Sequence, residues 1–157
     1  MYNIIFICYG NICRSPMAEM IFKDLIYKNN KRYMFSCISR ATSCEEIGND
    51  IYPDSKKVLK KHNITIEKHS AKQITYEEYN KYNLIIVMEE KNKVDLIKKF
   101  GDNNKIHLLL EFTNNKKNIE DPWYTGRFEE VYEQINEGCI KLFNYLIKCG
   151  EENGKQI

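Results

Sequence analysis

The sequence predicts a single α/β domain built on a mostly parallel sheet that is flanked by helices on both faces. Short runs of apolar and β-branched residues alternate with segments of helical periodicity, which is the pattern of repeated β-α-β units. Two of these runs are almost continuously apolar, as expected of strands that are covered on both faces. The chain has 157 residues, about the length of one domain. We expect residues 1–150 to form that domain and residues 151–157 to be a polar tail.

The first half of the chain contains two predicted strands and two predicted helices. In chain order they are a strand at 3–8, a helix at 16–30, a strand at 33–41 and a helix at 53–62. The first strand is a β-branched and aromatic run. Pro16 suits a first helical position, with Ser15 before it as the N-cap. The polar residues 42–51 predict a loop.

The second half contains two further strands and a long C-terminal helix. The predicted elements are one helical turn at 75–79, a strand at 84–88, a helix at 91–100, a strand at 106–110, a polar loop at 114–126 and an amphipathic helix at 128–149. In parallel sheets ligands bind beyond the carboxyl ends of the strands. We therefore expect the loops at 9–15 and 114–126 to meet at the functional edge.

The charge balance excludes two classes of function. Lys and Arg number 24 and Asp and Glu number 22, which argues against a protein that coats nucleic acid or an anionic membrane. No apolar run approaches the roughly 18–20 residues that a membrane span requires. The N-terminus has no basic segment typical of a signal peptide. We expect a cytoplasmic monomer that binds no nucleic acid.

The six cysteines are expected to be reduced, because a chain of this size without a secretion signal needs no disulfides. No pair has the spacing of a zinc site, and we expect neither a metal nor a cofactor. Four cysteines are interpreted as small buried apolar residues: Cys37, Cys44, Cys139 and Cys149.

The loop after the first strand carries the strongest chemical signal. It contains Cys8, Tyr9, Gly10, Asn11, Ile12, Cys13, Arg14 and Ser15, followed by Pro16. A tetrahedral anion held by this loop would meet backbone N–H groups and the positive end of a helix dipole. The same field would stabilise a thiolate at Cys8, and Ser15 could donate its hydroxyl to the sulfur. Arg14 would bind two oxygens of the anion. Gly10 and Asn11 tolerate the left-handed backbone that such a loop requires.

A phosphoryl transfer to Cys8 also needs a group that protonates the leaving oxygen and later activates water. Asp121 lies in the second loop of the predicted edge and is the candidate. Pro122 stiffens that loop, and the Trp123 and Tyr124 side chains could line the binding site of a flat aromatic substrate. Cys13 is either a buried thiol or a guard that traps oxidised Cys8 as a reversible disulfide.

Taken together, these motifs resemble the low-molecular-weight protein tyrosine phosphatase family over nearly the whole chain. The segments that carry the resemblance are 8–16, 41–43, 46–49, 71–75 and 121–124. The resemblance implies four parallel strands in the order 2-1-3-4. It also implies hydrolysis of phosphotyrosine or small aryl phosphates, without a metal, through a cysteinyl-phosphate.

The resemblance also implies a role for each site residue. Cys8 is the nucleophile, Arg14 binds the phosphoryl group and Asp121 is first acid and then base. Asn11 holds the shape of the loop. Ser39, His69 and Glu89 are implied as its supporting partners, and Ile12, Glu45, Glu46, Trp123 and Tyr124 as the rim of the cleft. Tyr124 also matches a position that is phosphorylated in animal relatives.

Three residues depart from the family pattern. Glu45 replaces an aromatic rim residue, so the wall should be more acidic and should disfavour acidic peptides. Glu89 replaces an Asp, which makes the acidic support near Arg14 one methylene longer. Thr125 stands where a glycine is common, so we expect a different course of the acid loop.

Two alternatives remain open from the sequence. A thiol-relay arsenate reductase shares the loop, but it needs further cysteines, and none lies between Cys44 and Cys139. A phosphotyrosine-binding module without turnover is the second alternative, and the presence of Cys8, Arg14 and Asp121 counts against it.

Overall fold

The computed structural model describes residues 1–155 and contains one four-stranded parallel sheet. Its strands are β1 (Tyr2–Cys8), β2 (Phe35–Ala41), β3 (Leu84–Val87) and β4 (Ile106–Leu108). The order is β2-β1-β3-β4, and every neighbouring pair is parallel. The predicted fold class and strand order are therefore confirmed.

Helices pack against both faces of the sheet. They are α1 (Arg14–Lys28), α2 (Pro53–Lys61), α3 (Tyr76–Lys81), α4 (Glu90–Phe100), α5 (Pro122–Thr125) and α6 (Phe128–Lys155). Within the described residues, no helix is both long enough and apolar enough to cross a membrane.

The alternation of side chains along β1 divides the core into two layers. Ile4 and Phe6 point to the larger cluster, which α1, α2 and α6 complete. Ile5 and Ile7 point to the smaller cluster, which α3 and α4 cover. All four of these side chains are fully buried. Burial on both faces explains why this strand is a continuous apolar run rather than an alternating one.

The last strand and the last helix differ from the predicted bounds. The strand predicted to reach residue 110 ends at Leu108, and a 3-10 helix (Leu109–Phe112) follows. Leu109 packs directly over Gly138 of α6, where a Cβ atom would lie 2.6 Å from the Leu109 side chain. The chain therefore turns to bury Leu109 instead of extending the sheet. Helix α6 continues to Lys155 beyond the predicted end at residue 149, and residues 156–157 of the predicted tail lie outside the described residues.

The predicted N-cap at Ser15 is wrong. Helix α1 begins at Arg14, and its flanking residue Cys13 makes no side-chain capping bond. Ser15 lies in the first turn, where its hydroxyl faces Cys8 and Asn11. The first N–H groups of the helix are thus left without a side-chain acceptor.

All six cysteines are free thiols, but their exposure differs. Cys37 and Cys139 are buried, as predicted. Cys44 is exposed because it lies in the polar loop that follows β2, so the prediction of burial is wrong there. Cys149 is half-buried near the end of α6.

Candidate active site

The two predicted loops meet at the carboxyl edge of the sheet and enclose a cleft. Loop 9–13 joins β1 to α1, and the segment ending in α5 approaches it from across β3. The cleft is lined by Cys8, Tyr9, Gly10, Ile12, Cys13, Arg14, Glu45, Glu46, Asp121, Trp123 and Tyr124. All three predicted catalytic residues and all five predicted rim residues therefore line one cleft.

Asn11 fixes the course of the loop around Cys8. Its φ of 61° is left-handed, and Asn tolerates this conformation better than most residues do. Its backbone N–H donates to the Cys8 sulfur at 3.3 Å. Its carbonyl oxygen accepts a hydrogen bond from His69 Nε2 at 2.7 Å. Gly10 does not adopt a positive φ, contrary to expectation; its lack of a side chain instead lets Glu46 approach, with Cγ 3.3 Å from where a Cβ would lie.

The Asn11 side chain connects two buried hydroxyls. Its Nδ2 donates to Ser15 Oγ at 2.8 Å and to Ser39 Oγ at 2.9 Å. Ser15 Oγ in turn lies 3.0 Å from the Cys8 sulfur. A thiolate at Cys8 would therefore be surrounded by hydrogen-bond donors. Ser39 and His69 both contact Asn11 directly, as the resemblance implies.

Arg14 is held beneath the cleft by three acceptors. The side chain is only 2% exposed. Nη1 lies 3.2 Å from Glu89 Oε2, and Nη2 lies 3.5 Å from Asp121 Oδ2. Nη1 also donates to the backbone carbonyl of Ile119 at 2.8 Å. Together these contacts fix the plane of the guanidinium before any ligand arrives.

Asp121 stands at the N-terminus of the short helix α5 and divides its two oxygens. Oδ1 accepts the backbone N–H of Trp123 at 3.0 Å, while Oδ2 faces Arg14 across the cleft. The helix was predicted as loop; Pro122 opens it, and Gly126 with a φ of 74° ends it after Thr125. Because this segment forms a helical turn and not an irregular loop, the Asp121 carboxylate is directed toward the cleft.

The rim combines aromatic and acidic groups. Trp123 is 53% exposed and Tyr124 is 82% exposed. The Trp123 ring packs edge-on against Tyr52 at 5.0 Å between centroids. Also at the rim, the Tyr9 hydroxyl donates to Glu45 Oε1 at 2.5 Å, and this hydrogen bond raises the pKa of Tyr9.

Cys13 lies against the floor of the cleft and is 4% exposed. Burial, together with the nearby Cys8, raises the pKa of the Cys13 thiol to about 12. Cys13 is therefore protonated at neutral pH. Among the side chains that the structure describes, no group of three or more His, Cys, Asp or Glu is placed to hold a metal ion.

Sequence reasoning missed three contributors to the site. Ile119 acts through its carbonyl and Tyr52 through packing, so neither has a distinctive sequence signal. Glu19 is 8% exposed and accepts a hydrogen bond from Ser39 at 2.6 Å. A signal for Glu19 did exist, because it is an acidic residue among the apolar positions of α1.

Comparison with known proteins agrees with this geometry. The family model described as low molecular weight phosphotyrosine protein phosphatase matches residues 3–152. The low molecular weight protein-tyrosine-phosphatase YfkJ of Bacillus subtilis is 34% identical over 152 residues, covering 94% of this chain and 97% of that protein. PtpA of Staphylococcus aureus is 35% identical over 150 residues, with 94% and 96% covered.

Solved structures give the same result. The crystal structure of YfkJ superposes with a TM-score of 0.90 at 32% identity, over 94% of this chain and 96% of that chain. The low molecular weight protein tyrosine phosphatase of Streptococcus pyogenes superposes with a TM-score of 0.82 at 34% identity, over 93% of each chain. The likeness thus covers more than nine-tenths of the chain.

Proposed function

Because the chain belongs to the low-molecular-weight phosphotyrosine protein phosphatase family, we propose that it hydrolyses phosphotyrosine in proteins through a cysteinyl-phosphate, without a metal. One observation carries the proposal. The Cys8 thiol lies at the floor of the cleft among hydrogen-bond donors, with Arg14 and Asp121 on the same cleft. We propose further that it acts in the cytoplasm as a monomer and requires no cofactor.

In the first step, the Cys8 thiolate attacks the phosphorus atom and the bond from phosphorus to the tyrosine oxygen breaks. Arg14 and the N–H groups at the start of α1 bind the equatorial oxygens, where negative charge must be stabilised. Asp121 donates its proton to the departing phenolate, so that tyrosine leaves as the neutral phenol.

In the second step, water attacks the phosphorus atom of the cysteinyl-phosphate. Asp121, now a carboxylate, takes the proton from that water. The sulfur–phosphorus bond breaks, inorganic phosphate leaves, and Cys8 returns to the thiolate. Ser15 and the Asn11 N–H favour this return because both contact the sulfur that regains the charge.

The depth of the cleft supports an aryl phosphate as the substrate. Cys8 is 2% exposed, so the phosphoryl group must be carried to the floor by a group that reaches past the rim. The rim offers the apolar side chain of Ile12 and the aromatic rings of Trp123 and Tyr124. A flat phenyl ring satisfies both requirements, because it is long enough and packs well against aromatic neighbours.

The test is hydrolysis of p-nitrophenyl phosphate and phosphotyrosine at mildly acidic pH, with EDTA present. We expect turnover of both substrates, unchanged by added divalent cations. Turnover that appears only after metal is restored would overturn the metal-independent mechanism. No turnover with either substrate would overturn the hydrolase proposal. Assays of thiol-coupled arsenate reduction and of phosphotyrosine binding would then distinguish the two alternatives.

Peroxide should inactivate the protein reversibly through a disulfide between Cys8 and Cys13. The Cys8 thiolate is oxidised to a sulfenic acid while peroxide is reduced to hydroxide, and the Cys13 thiol then displaces water from it. With the pKa of Cys13 at about 12, its thiolate fraction rises with pH across the neutral range, and disulfide closure should accelerate accordingly. Peptide mass mapping after peroxide treatment identifies the disulfide, and recovery of activity with a dithiol measures the reversibility of the inactivation.

The matched control for the redox prediction is Cys44→Ser, which removes an exposed thiol outside the cleft. We expect this variant to inactivate and recover like the unmodified protein. In Cys13→Ser, recovery should be lost because the sulfenic acid is oxidised further. Finding Cys13 as a free thiol in the inactivated protein would contradict the guard role.

The acidic rim should favour basic residues around the phosphotyrosine. Glu45 is exposed and accepts a hydrogen bond from the Tyr9 hydroxyl, and among the described side chains it forms no salt bridge. An exposed charge pair contributes about 0.2–1 kcal/mol, so kcat/KM should be roughly one and a half to five times higher for a basic phosphopeptide than for an acidic one. Glu45→Gln should narrow this ratio, as should added salt.

A control for the rim prediction is Glu137→Gln. It makes the same change of net charge on α6, away from the residues that line the cleft. This variant should leave the ratio of the two peptides unchanged. Equal rates on acidic and basic peptides, unaltered by Glu45→Gln, would exclude Glu45 as a determinant of peptide choice.

A further inference from the structure

A buried carboxylate lies behind the phosphate-binding loop, outside the cleft. Glu19 is on α1 and is 8% exposed. Its Oε1 accepts a hydrogen bond from Ser39 Oγ at 2.6 Å, and Ser39 is itself only 1% exposed. Its Oε2 pairs with Lys23 at 2.6 Å. Placing a charged group in this position is costly unless each of its oxygens is paired, and here both are.

A series of hydrogen bonds connects Glu19 to Cys8 through Ser39, Asn11 and Ser15, and the donor of each bond can be assigned. The backbone N–H of Lys72, which can only donate, points at Asn11 Oδ1 at 3.1 Å. This contact identifies the oxygen of the Asn11 amide, so Nδ2 must donate to both Ser15 and Ser39. Neither serine hydroxyl can then direct its own hydrogen at Asn11.

The two hydroxyl hydrogens are therefore directed away from Asn11. The Ser39 hydrogen is donated to Glu19 Oε1, the acceptor at 2.6 Å. The Ser15 hydrogen has the Cys8 sulfur at 3.0 Å, while its other acceptor, the Arg40 carbonyl, is farther away at 3.5 Å. The result is an ordered series in which each donor is oriented by the group behind it.

We propose that Glu19 is a positioning residue that acts through Ser39 and Asn11 to direct the Ser15 hydroxyl at the Cys8 sulfur. The carboxylate accepts the Ser39 hydrogen and so keeps the Ser39 oxygen turned toward the Asn11 amide. That contact, with the one from Lys72, holds the amide in the orientation in which it donates to Ser15. The inference rests on the proposed function only in taking Cys8 as the nucleophile.

The charged surroundings of Glu19 fit a fixed carboxylate. Lys23 also binds Glu67 at 2.8 Å, from the segment between α2 and α3. Burial lowers the pKa of Lys23, but the hydrogen bonds to the two carboxylates outweigh that effect and raise it. From β2, the buried Cys37 thiol contacts the Glu19 backbone carbonyl. The groups around Cys8 are Arg14, Cys13 and Asp121 on the cleft side.

Alkylation of Cys8 by iodoacetamide over a range of pH tests this inference, because it needs neither substrate nor turnover. In Glu19→Gln, the side chain keeps only one acceptor oxygen, and Lys23 and Ser39 compete for it. The new amide N–H can also donate to the Ser39 oxygen, so the Ser39 hydroxyl no longer has a fixed direction. We expect the pH midpoint of alkylation to rise by about half a unit to one unit. Alkylation below that midpoint should therefore slow by roughly three- to tenfold. Peptide mass mapping assigns the alkylation to Cys8.

A double-mutant cycle separates positioning from a general charge effect. Ser39→Ala should move the midpoint as far as Glu19→Gln does, and the double variant should move it no farther than either. Glu67→Gln is the matched control, because it removes the other carboxylate of Lys23 without touching Ser39, and should leave the midpoint unchanged.

Three results would overturn the inference: additive shifts in the double variant, a shift in Glu67→Gln as large as in Glu19→Gln, or an unmoved midpoint in Ser39→Ala. If Glu19→Gln does not fold, Ser39→Ala still tests the inference, because it interrupts the series while leaving the Glu19–Lys23 pair intact, and an unmoved midpoint would overturn it. Absence of phosphatase turnover would leave the alkylation profile readable, so the two proposals fail separately.

Discussion

Cys8→Ser is expected to abolish hydrolysis of aryl phosphates while retaining binding of inorganic phosphate. A serine hydroxyl needs a base to take its proton, and the groups in contact with Cys8 are the Ser15 hydroxyl and the Asn11 N–H, which serve as donors. We expect kcat to fall by roughly 10⁴–10⁶-fold, the scale of the loss when single members of a catalytic triad are removed. Arg14 and the start of α1 remain in place to hold the anion. Stopped-time hydrolysis assays and a phosphate titration measure the two properties.

Cys44→Ser controls for the loss of a thiol as such, because Cys44 is exposed and does not line the cleft. Its rate should match that of the unmodified protein. Hydrolysis by Cys8→Ser at a rate near the unmodified one would assign the nucleophile to another residue. Loss of phosphate binding in the same variant would contradict the view that the loop binds the anion independently of the sulfur.

The elements of the fold could be predicted wherever a segment's own sequence determined its state. The apolar run of β1 and the proline that opens α2 are local signals, and both elements were found near the predicted positions. The end of β4 is different, because Leu109 turns away from the sheet to pack over Gly138, a residue far along the chain. Tertiary packing of this kind leaves no trace in the periodicity of the strand itself.

The residues of the candidate site also differ in whether the local sequence could predict them. Cys8, Arg14 and Ser15 lie close together in the sequence, at the end of β1 and the start of α1, and their spacing together with the strand before and the helix after them predicted an anion site. Ile119 reaches Arg14 through a backbone carbonyl, which carries no information about residue type. Glu19 could be noticed only as a charge on an apolar helix face, and its partner became clear once β2 was placed beside α1.

The structure gives Asp121 two contacts that bear on its proposed role as acid and base. The N–H of Trp123 orients the carboxylate through Oδ1, and Oδ2 is left to face the cleft. Helix α5 holds this orientation because its N-terminus is closed by Asp121 itself. A substitution here should therefore remove both the proton donor and the cap of a short helix.

Asp121→Ala should slow the hydrolysis of phosphotyrosine by roughly 10²–10⁴-fold, the usual contribution of a general acid. The loss should be smaller with p-nitrophenyl phosphate, because its leaving group departs without a proton. KM should not rise, since the substitution removes a negative charge that faces Arg14 at 3.5 Å and competes with the phosphate for it.

Glu120→Gln is the matched control, because this neighbouring carboxylate lies near Arg127 at 3.9 Å and should have little effect. An unchanged rate on phosphotyrosine would remove Asp121 from the mechanism. An equal loss on both substrates would indicate that the damage comes from the loop and not from the missing proton.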